Sequence, residues 1–105
     1  MQTVSVQFRE KLGYGGQCQR RYDEMCHNLE EGSRTVVFDL SQVPDINSEG
    51  IGFLVMCLAT VEQAGGQLRL ASVSSQVRDA LVMTRLYPVF SVFDSVDAAL
   101  TERPA

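Results

Sequence analysis

The run Thr35-Val36-Val37-Phe38-Asp39-Leu40 restricts the possible folds more than any other part of the chain. It is short and almost continuously β-forming, so it reads as a strand buried on both faces and near the centre of a sheet. Such a strand needs cover above and below, and the flanking segments supply it. Thr3 to Phe8 alternates, with Val4, Val6 and Phe8 on one face, as a half-buried strand does. From Gln17 to Glu31, Cys18, Tyr22, Met25, Cys26 and Leu29 recur at spacings of three and four, which predicts an amphipathic helix stopped at Gly32.

Beyond the central run, Asn47-Ser48 offers helix-capping side chains, and the apolar stretch from Ile51 runs on to a helix stop at Gly65-Gly66. Gln67 to Val73 reads as a strand with Leu68 and Leu70 inward. Ser74-Ser75 caps a helix carrying Val77, Ala80, Leu81 and Thr84 on one face. Val89 to Phe93 is a last strand, Asp94 with Asp97 opens a terminal helix, and Glu102 to Ala105 is a frayed end. Four βα pairs point to a single α/β domain over residues 1–105, with a largely parallel sheet.

Composition narrows the functional classes. At 105 residues, 45% hydrophobic and 21% charged, the chain has enough apolar surface for one layered core. The longest apolar run, Ile51 to Ala59, is far shorter than the roughly 20 residues that span a bilayer. The first residues carry no export signal, so the expected compartment is the cytoplasm, where the three cysteines stay reduced. A formal charge of −4, with Lys11 the only lysine, argues against general affinity for nucleic acid or anionic lipid.

Catalytic equipment is sparse. His27, the only histidine, falls on the polar side of the first helix. Cys18 and Cys26 lie on its apolar stripe and Cys57 sits in the second apolar stretch, with no Cys-x-x-Cys spacing, so all three read as packing residues and no metal set is expected. Gly13-Tyr14-Gly15-Gly16 matches no phosphate-loop fingerprint and reads as a connection. No catalytic residue or cofactor is assigned.

The segment from Val43 to Leu54, Val-Pro-Asp-Ile-Asn-Ser-Glu-Gly-Ile-Gly-Phe-Leu, resembles the STAS domains of bacterial anti-sigma-factor antagonists. Asp39-Leu40-Ser41 before it and Gly65-Gly66-Gln67-Leu68-Arg69-Leu70 after it belong to the same resemblance. So do Val73 to Arg78, Thr84-Arg85-Leu86, Val89 to Phe93 and Ala98-Ala99-Leu100. Residues 35–100 match well and residues 1–34 only weakly. Thr3 to Phe8 aligns with the family's second strand, so the first is expected to be missing. The resemblance implies a STAS fold: a central mixed, largely parallel sheet of about four strands packed with four helices.

In register with the family's Asp-Ser-Ser-Gly-Leu-Gly motif stands Asn47-Ser48-Glu49-Gly50-Ile51-Gly52, with Ser48 in place of the phosphorylated serine. Asn47 replaces an acid, and Glu49 replaces a small residue. A phosphoryl group at a helix N-terminus faces unpaired N–H groups and the positive end of the dipole, so the fold accommodates it. Its charge of about −1.5 to −2, beside Asp45 and Glu49, would make an anionic patch that repels a docked partner. On position alone, Ser48 reads first as a helix cap contributing about 1 kcal/mol, and it is the resemblance that turns the reading to a phosphorylated serine.

In the second helix, Ile51, Leu54, Val55, Leu58 and Val61 fit one sheet-facing side, while Phe53, Met56 and Cys57 extend the apolar character beyond it. Either another helix covers them or they form a contact patch. Asp45, Asn47, Ser48, Glu49, Gly50, Phe53 and Met56 are the expected partner-binding residues, the first five around the motif that carries the resemblance and the last two as an exposed apolar contact patch within two turns of Ser48. The resemblance implies two partners, an anti-sigma factor that is a serine kinase of the histidine-kinase-like ATPase fold and a metal-dependent serine phosphatase; a homodimer is a separate expectation. The alternatives are a constitutive STAS subunit of an ABC-type lipid transport complex and a non-switching scaffold of a stress-signalling complex.

Overall fold

A computed structural model describes residues 2–13 and 16–101. Four strands, β1 (Gln2–Arg9), β2 (Ser33–Gln42), β3 (Gln67–Ala71) and β4 (Ser91–Phe93), form one sheet in the order β1-β2-β3-β4, every pairing parallel. The register places Val4 beside Val36, Phe38 beside Leu70 and Leu70 beside Val92. The mixed sheet expected from the resemblance is thus wholly parallel among the described residues. Tyr14, Gly15 and the end segment Glu102 to Ala105 lie outside them.

Three helices, α1 (Gln17–Glu30), α2 (Ser48–Gln63) and α3 (Ser75–Met83), make the crossovers. Because the strands are laid down in one direction, right-handed crossovers put all three on the same face of the sheet. The main core lies there, with Val6, Phe8, Val36, Phe38, Leu40, Leu68 and Leu70 from the strands meeting Met25, Leu29, Phe53, Leu54, Cys57, Val61, Val77 and Leu81 from the helices. The rings of Phe8 and Phe38 pack 4.7 Å apart. A fourth helix, α4 (Val96–Thr101), covers the opposite face with Ala99 against Val37 and Ala71. β2 is therefore buried on both sides, as its almost continuous run of β-forming residues requires.

Arg69, at a back-facing position of β3, is only 3% exposed. Its Nη1 donates to the Ala99 carbonyl at 2.6 Å, Nε and Nη2 donate to Gln67 Oε1, and the guanidinium lies 5.1 Å from the centre of the Phe93 ring. Buried charge is tolerated when its donors are met in this way.

Three expected elements shift. The last strand begins at Ser91 rather than Val89, because Tyr87–Val89 forms a short 3-10 turn around Pro88, whose ring suits a turn and lacks the N–H a ladder needs. The strand expected over Gln67 to Val73 ends at Ala71, since Ser72 takes a left-handed φ of 57°. The terminal helix starts at Val96, and Ser95 Oγ accepts the Ala98 N–H at 3.0 Å, so the opening residue is Ser95 rather than Asp94.

Candidate functional site

The β2–α2 junction stands at the C-terminal edge of the sheet, where open α/β sheets present their binding residues. The loop after β1 braces it. Leu12 N donates to the Asp45 carbonyl at 3.0 Å and Asn47 N donates to the Leu12 carbonyl at 3.2 Å, so Leu12 and Ile46 form an isolated parallel bridge. Gly13, with φ of 112°, lies so close to the Asn47 side chain that a Cβ there would overlap Asn47 Oδ1. The turn is held from one side by its own strand and from the other by this loop.

Asn47 is the N-cap of α2. Its backbone is extended, and its Oδ1 accepts the Gly50 N–H at 2.9 Å. Ser48 is therefore the first helical residue rather than the cap, is exposed, and has a hydroxyl with no hydrogen-bond partner among the described residues. Glu49 follows it, exposed, in the first turn, where a carboxylate complements the helix dipole.

Asp45 is half-buried. Its Oδ1 accepts the Ile46 N–H at 2.8 Å and its Oδ2 pairs with Lys11 Nζ at 3.2 Å. The Ile46 backbone bond and then the Lys11 ammonium hold its carboxyl below the usual carboxylate range. Gly50 is buried against the Leu12 carbonyl; a Cβ there would come within 2.6 Å of that oxygen. It shapes the turn from beneath and presents no surface.

Phe53 departs from the expected contact patch. It is 8% exposed and packs edge-on against Phe8 at 5.8 Å, so it is a core residue. The helical phase accounts for this. The buried positions of α2 are Gly50, Phe53, Leu54, Cys57 and Val61, which turns the sheet-facing side away from Val55. Val55 and Met56 are the exposed large apolar residues of α2, at 39% and 47%. Because this helix is apolar on several sides, its sequence pattern alone left the phase open.

The three thiols are packing residues. Cys57 is buried, and burial, followed by the nearby Cys18 and Cys26 thiols, pushes its pKa up to about 12. Burial also raises Cys18, opposed by a hydrogen bond from the Gly13 backbone and reinforced by the nearby Glu49 carboxylate. Among the described residues no group of His, Cys, Asp or Glu is placed to hold a metal ion, and no helix is long and apolar enough to cross a membrane.

Residues 7–99 match the model of the STAS domain, and the chain belongs to that family. A candidate anti-sigma factor antagonist of Thermotoga neapolitana is 31% identical over 74 residues, which cover 70% of this chain and 66% of that protein. The candidate antagonist BtrV of Bordetella bronchiseptica is 28% identical over 76 residues, 72% of this chain and 66% of its own. The chain thus spans slightly under two thirds of these relatives. Among solved structures, a candidate anti-sigma factor antagonist of Thermotoga maritima superposes with a TM-score of 0.80 at 22% identity, over 92% of this chain and 83% of that one. A sulfate transporter family protein of Wolinella succinogenes gives 0.81 at 23%, over 93% and 81%. The unphosphorylated form of the anti-sigma factor antagonist SpoIIAA gives 0.67 at 14%, over 90% and 82%. At these identities the structural likeness establishes the fold.

Proposed function

We propose that this chain is an anti-sigma factor antagonist whose binding is switched by phosphorylation of Ser48. The observation that carries the reading is the division of labour at the head of α2. Asn47 caps the helix, which leaves the Ser48 hydroxyl exposed and unengaged at a site where a phosphoryl group meets helix amides rather than core. The named relatives support the antagonist role over the transporter role, and SpoIIAA is an antagonist whose structure is described by its phosphorylation state.

In this scheme the chain acts in the cytoplasm as ligand and substrate. An anti-sigma factor with serine-kinase activity binds the face formed by Asp45, Asn47, Ser48, Glu49 and Met56, with Gly50 and Phe53 supporting it from below. Phosphorylation adds charge to a rim that already holds Asp45 and Glu49 and ends the association. A metal-dependent serine phosphatase restores it. ATP and metal belong to those partners.

The test is intact-mass analysis and peptide mapping of the chain recovered from its own host, with and without phosphatase, together with capture of the kinase by wild type, Ser48→Ala and Ser48→Asp. One removable phosphoryl group on Ser48, and kinase capture lost in Ser48→Asp alone, is the expected result. Kinase capture that Ser48→Asp leaves unchanged would overturn the switch.

A further inference from the structure

We propose that the outer edge of β1 pairs antiparallel with β1 of a second copy of this chain, about a two-fold axis perpendicular to the sheet. The homodimer so formed joins the four strands of each copy in one continuous sheet. Among the described residues β1 pairs with β2 alone, so one of its sides turns backbone N–H and C=O groups outward. The two edges of the sheet differ. β4 has three residues, whereas β1 has eight. Shortness, charge and proline are the usual protections of an edge, and Thr3 to Phe8 contains neither a charged residue nor a proline.

The side chains of β1 suit this symmetry. Val4, Val6 and Phe8 belong to the helix-covered face, while Thr3, Ser5 and Gln7 are exposed on the other. A two-fold axis perpendicular to the sheet keeps each set on its own side in both copies, so apolar residues meet apolar and polar meet polar. Val4, only half-buried in one copy although it packs on the core, gains cover. The contact is isologous and closes at two subunits.

Charge complementarity along α1 selects a second copy as the occupant. α1 packs over β1 and β2. Joining two β1 strands at the usual spacing of about 4.8 Å therefore sets the two α1 axes about 10 Å apart, a helix-packing distance. Tyr22, whose hydroxyl bonds Thr60 Oγ1 at 3.2 Å, marks the flank of α1 that faces α2. Gln17, whose Oε1 accepts the Arg9 N–H at 2.9 Å, marks the flank beside β1, and helical spacing continues that flank through Arg21, Glu24, Asn28 and Glu31. Residues 17–21 hold Arg20 and Arg21 and no carboxylate, whereas residues 23–31 hold Asp23, Glu24, Glu30 and Glu31 and no Lys or Arg. Within a copy α1 runs against the direction of β1, so the axis sets the two helices antiparallel. The basic start of each then lies toward the acidic end of the other, and a parallel arrangement would oppose like charges. These charges orient the contact, and strand pairing gives it most of its strength.

The experiment is sedimentation equilibrium of the full chain at concentrations up to about 1 mM, with circular dichroism of each variant to report its folding. A monomer–dimer equilibrium is expected, weakened about tenfold or more in Ser5→Lys, which sets two ammonium groups near the axis on an exposed face. Ser91→Lys, exposed on β4 at the other edge, is expected to leave it unchanged. Arg21→Glu is expected to weaken the dimer, and the double variant Arg21→Glu, Glu31→Arg to restore it. A chain that stays monomeric throughout the range would overturn the proposal. So would a dimer that Ser5→Lys leaves intact, one that Ser91→Lys weakens equally, or failure of Glu31→Arg to rescue Arg21→Glu. The seam does not involve Ser48, so no result here bears on the phosphorylation switch.

Discussion

Asn47 Oδ1 accepts the Gly50 N–H at 2.9 Å, and this bond closes the first turn of α2 without help from Ser48. Capping and modification are thereby assigned to adjacent side chains. Asn47→Ala is expected to lower the unfolding free energy by about 1 kcal/mol, whereas Ser48→Ala stays within about 0.5 kcal/mol of wild type. Urea titration of the two variants checks this, and the reverse ranking would return the cap to Ser48.

A fixed negative charge at Ser48 meets the amide end of the helix. Ser48→Asp is expected to match or exceed wild-type stability by about 0.3–1 kcal/mol at low ionic strength, with the gain shrinking in salt. Thermal melts at two salt concentrations read this directly. A large loss of stability would mean that the fold does not accommodate an anion there.

Gly50 and Gly52 make opposite predictions two residues apart. A Cβ on Gly50 runs into the Leu12 carbonyl, so Gly50→Ala costs about 1–3 kcal/mol. Nothing lies within 4 Å of a Cβ on Gly52, so Gly52→Ala gains up to about 1 kcal/mol from helix propensity. Equal effects in denaturant titrations would contradict the packing described at Leu12.

Phe53 and Met56 separate stability from surface. Phe53→Ala removes a buried ring seated on Phe8 and costs about 3–5 kcal/mol. Met56→Ala changes stability by about 0.5 kcal/mol or less, and in the proposed scheme weakens capture of the anti-sigma factor. Denaturation and pull-down on the same two proteins distinguish the roles.

Asp45 carries the pH dependence of the turn. Its folded pKa is depressed, so the contribution of the Lys11 and Ile46 contacts is present above its unfolded value and is lost as pH falls through the folded one, below about pH 4. A carboxyl-detected NMR titration is expected to give Asp45 a midpoint below that of an unfolded peptide, and Lys11→Ala to move it upward. No change on removing Lys11 would leave the Ile46 amide as the sole cause.

Much of this architecture was legible because the strands and helices of the chain differ in period. β1 alternates, β2 does not, and the cap residues Asn47 and Ser74 stand where their helices begin. The choice between Asn47 and Ser48 as the cap was not legible, since both side chains cap well and only the backbone register decides. The phase of α2 failed for a related reason, as a helix apolar all round has no preferred side until α1 and the sheet are in place. Arg69 went unread because burial of a guanidinium depends on the Ala99 carbonyl thirty residues away.

The order of strands in the sheet is also their order along the chain, so during synthesis each strand emerges after the neighbour it pairs with. No strand waits for a distant one, and every pairing closes a loop of a single βα unit. What comes last is the back of the sheet. A nascent chain halted before α4 would keep its three crossovers but leave Val37 and Ala71 wet and the Arg69 guanidinium without the Ala99 carbonyl. Emergence of α4 is thus the event that seals this face of the sheet.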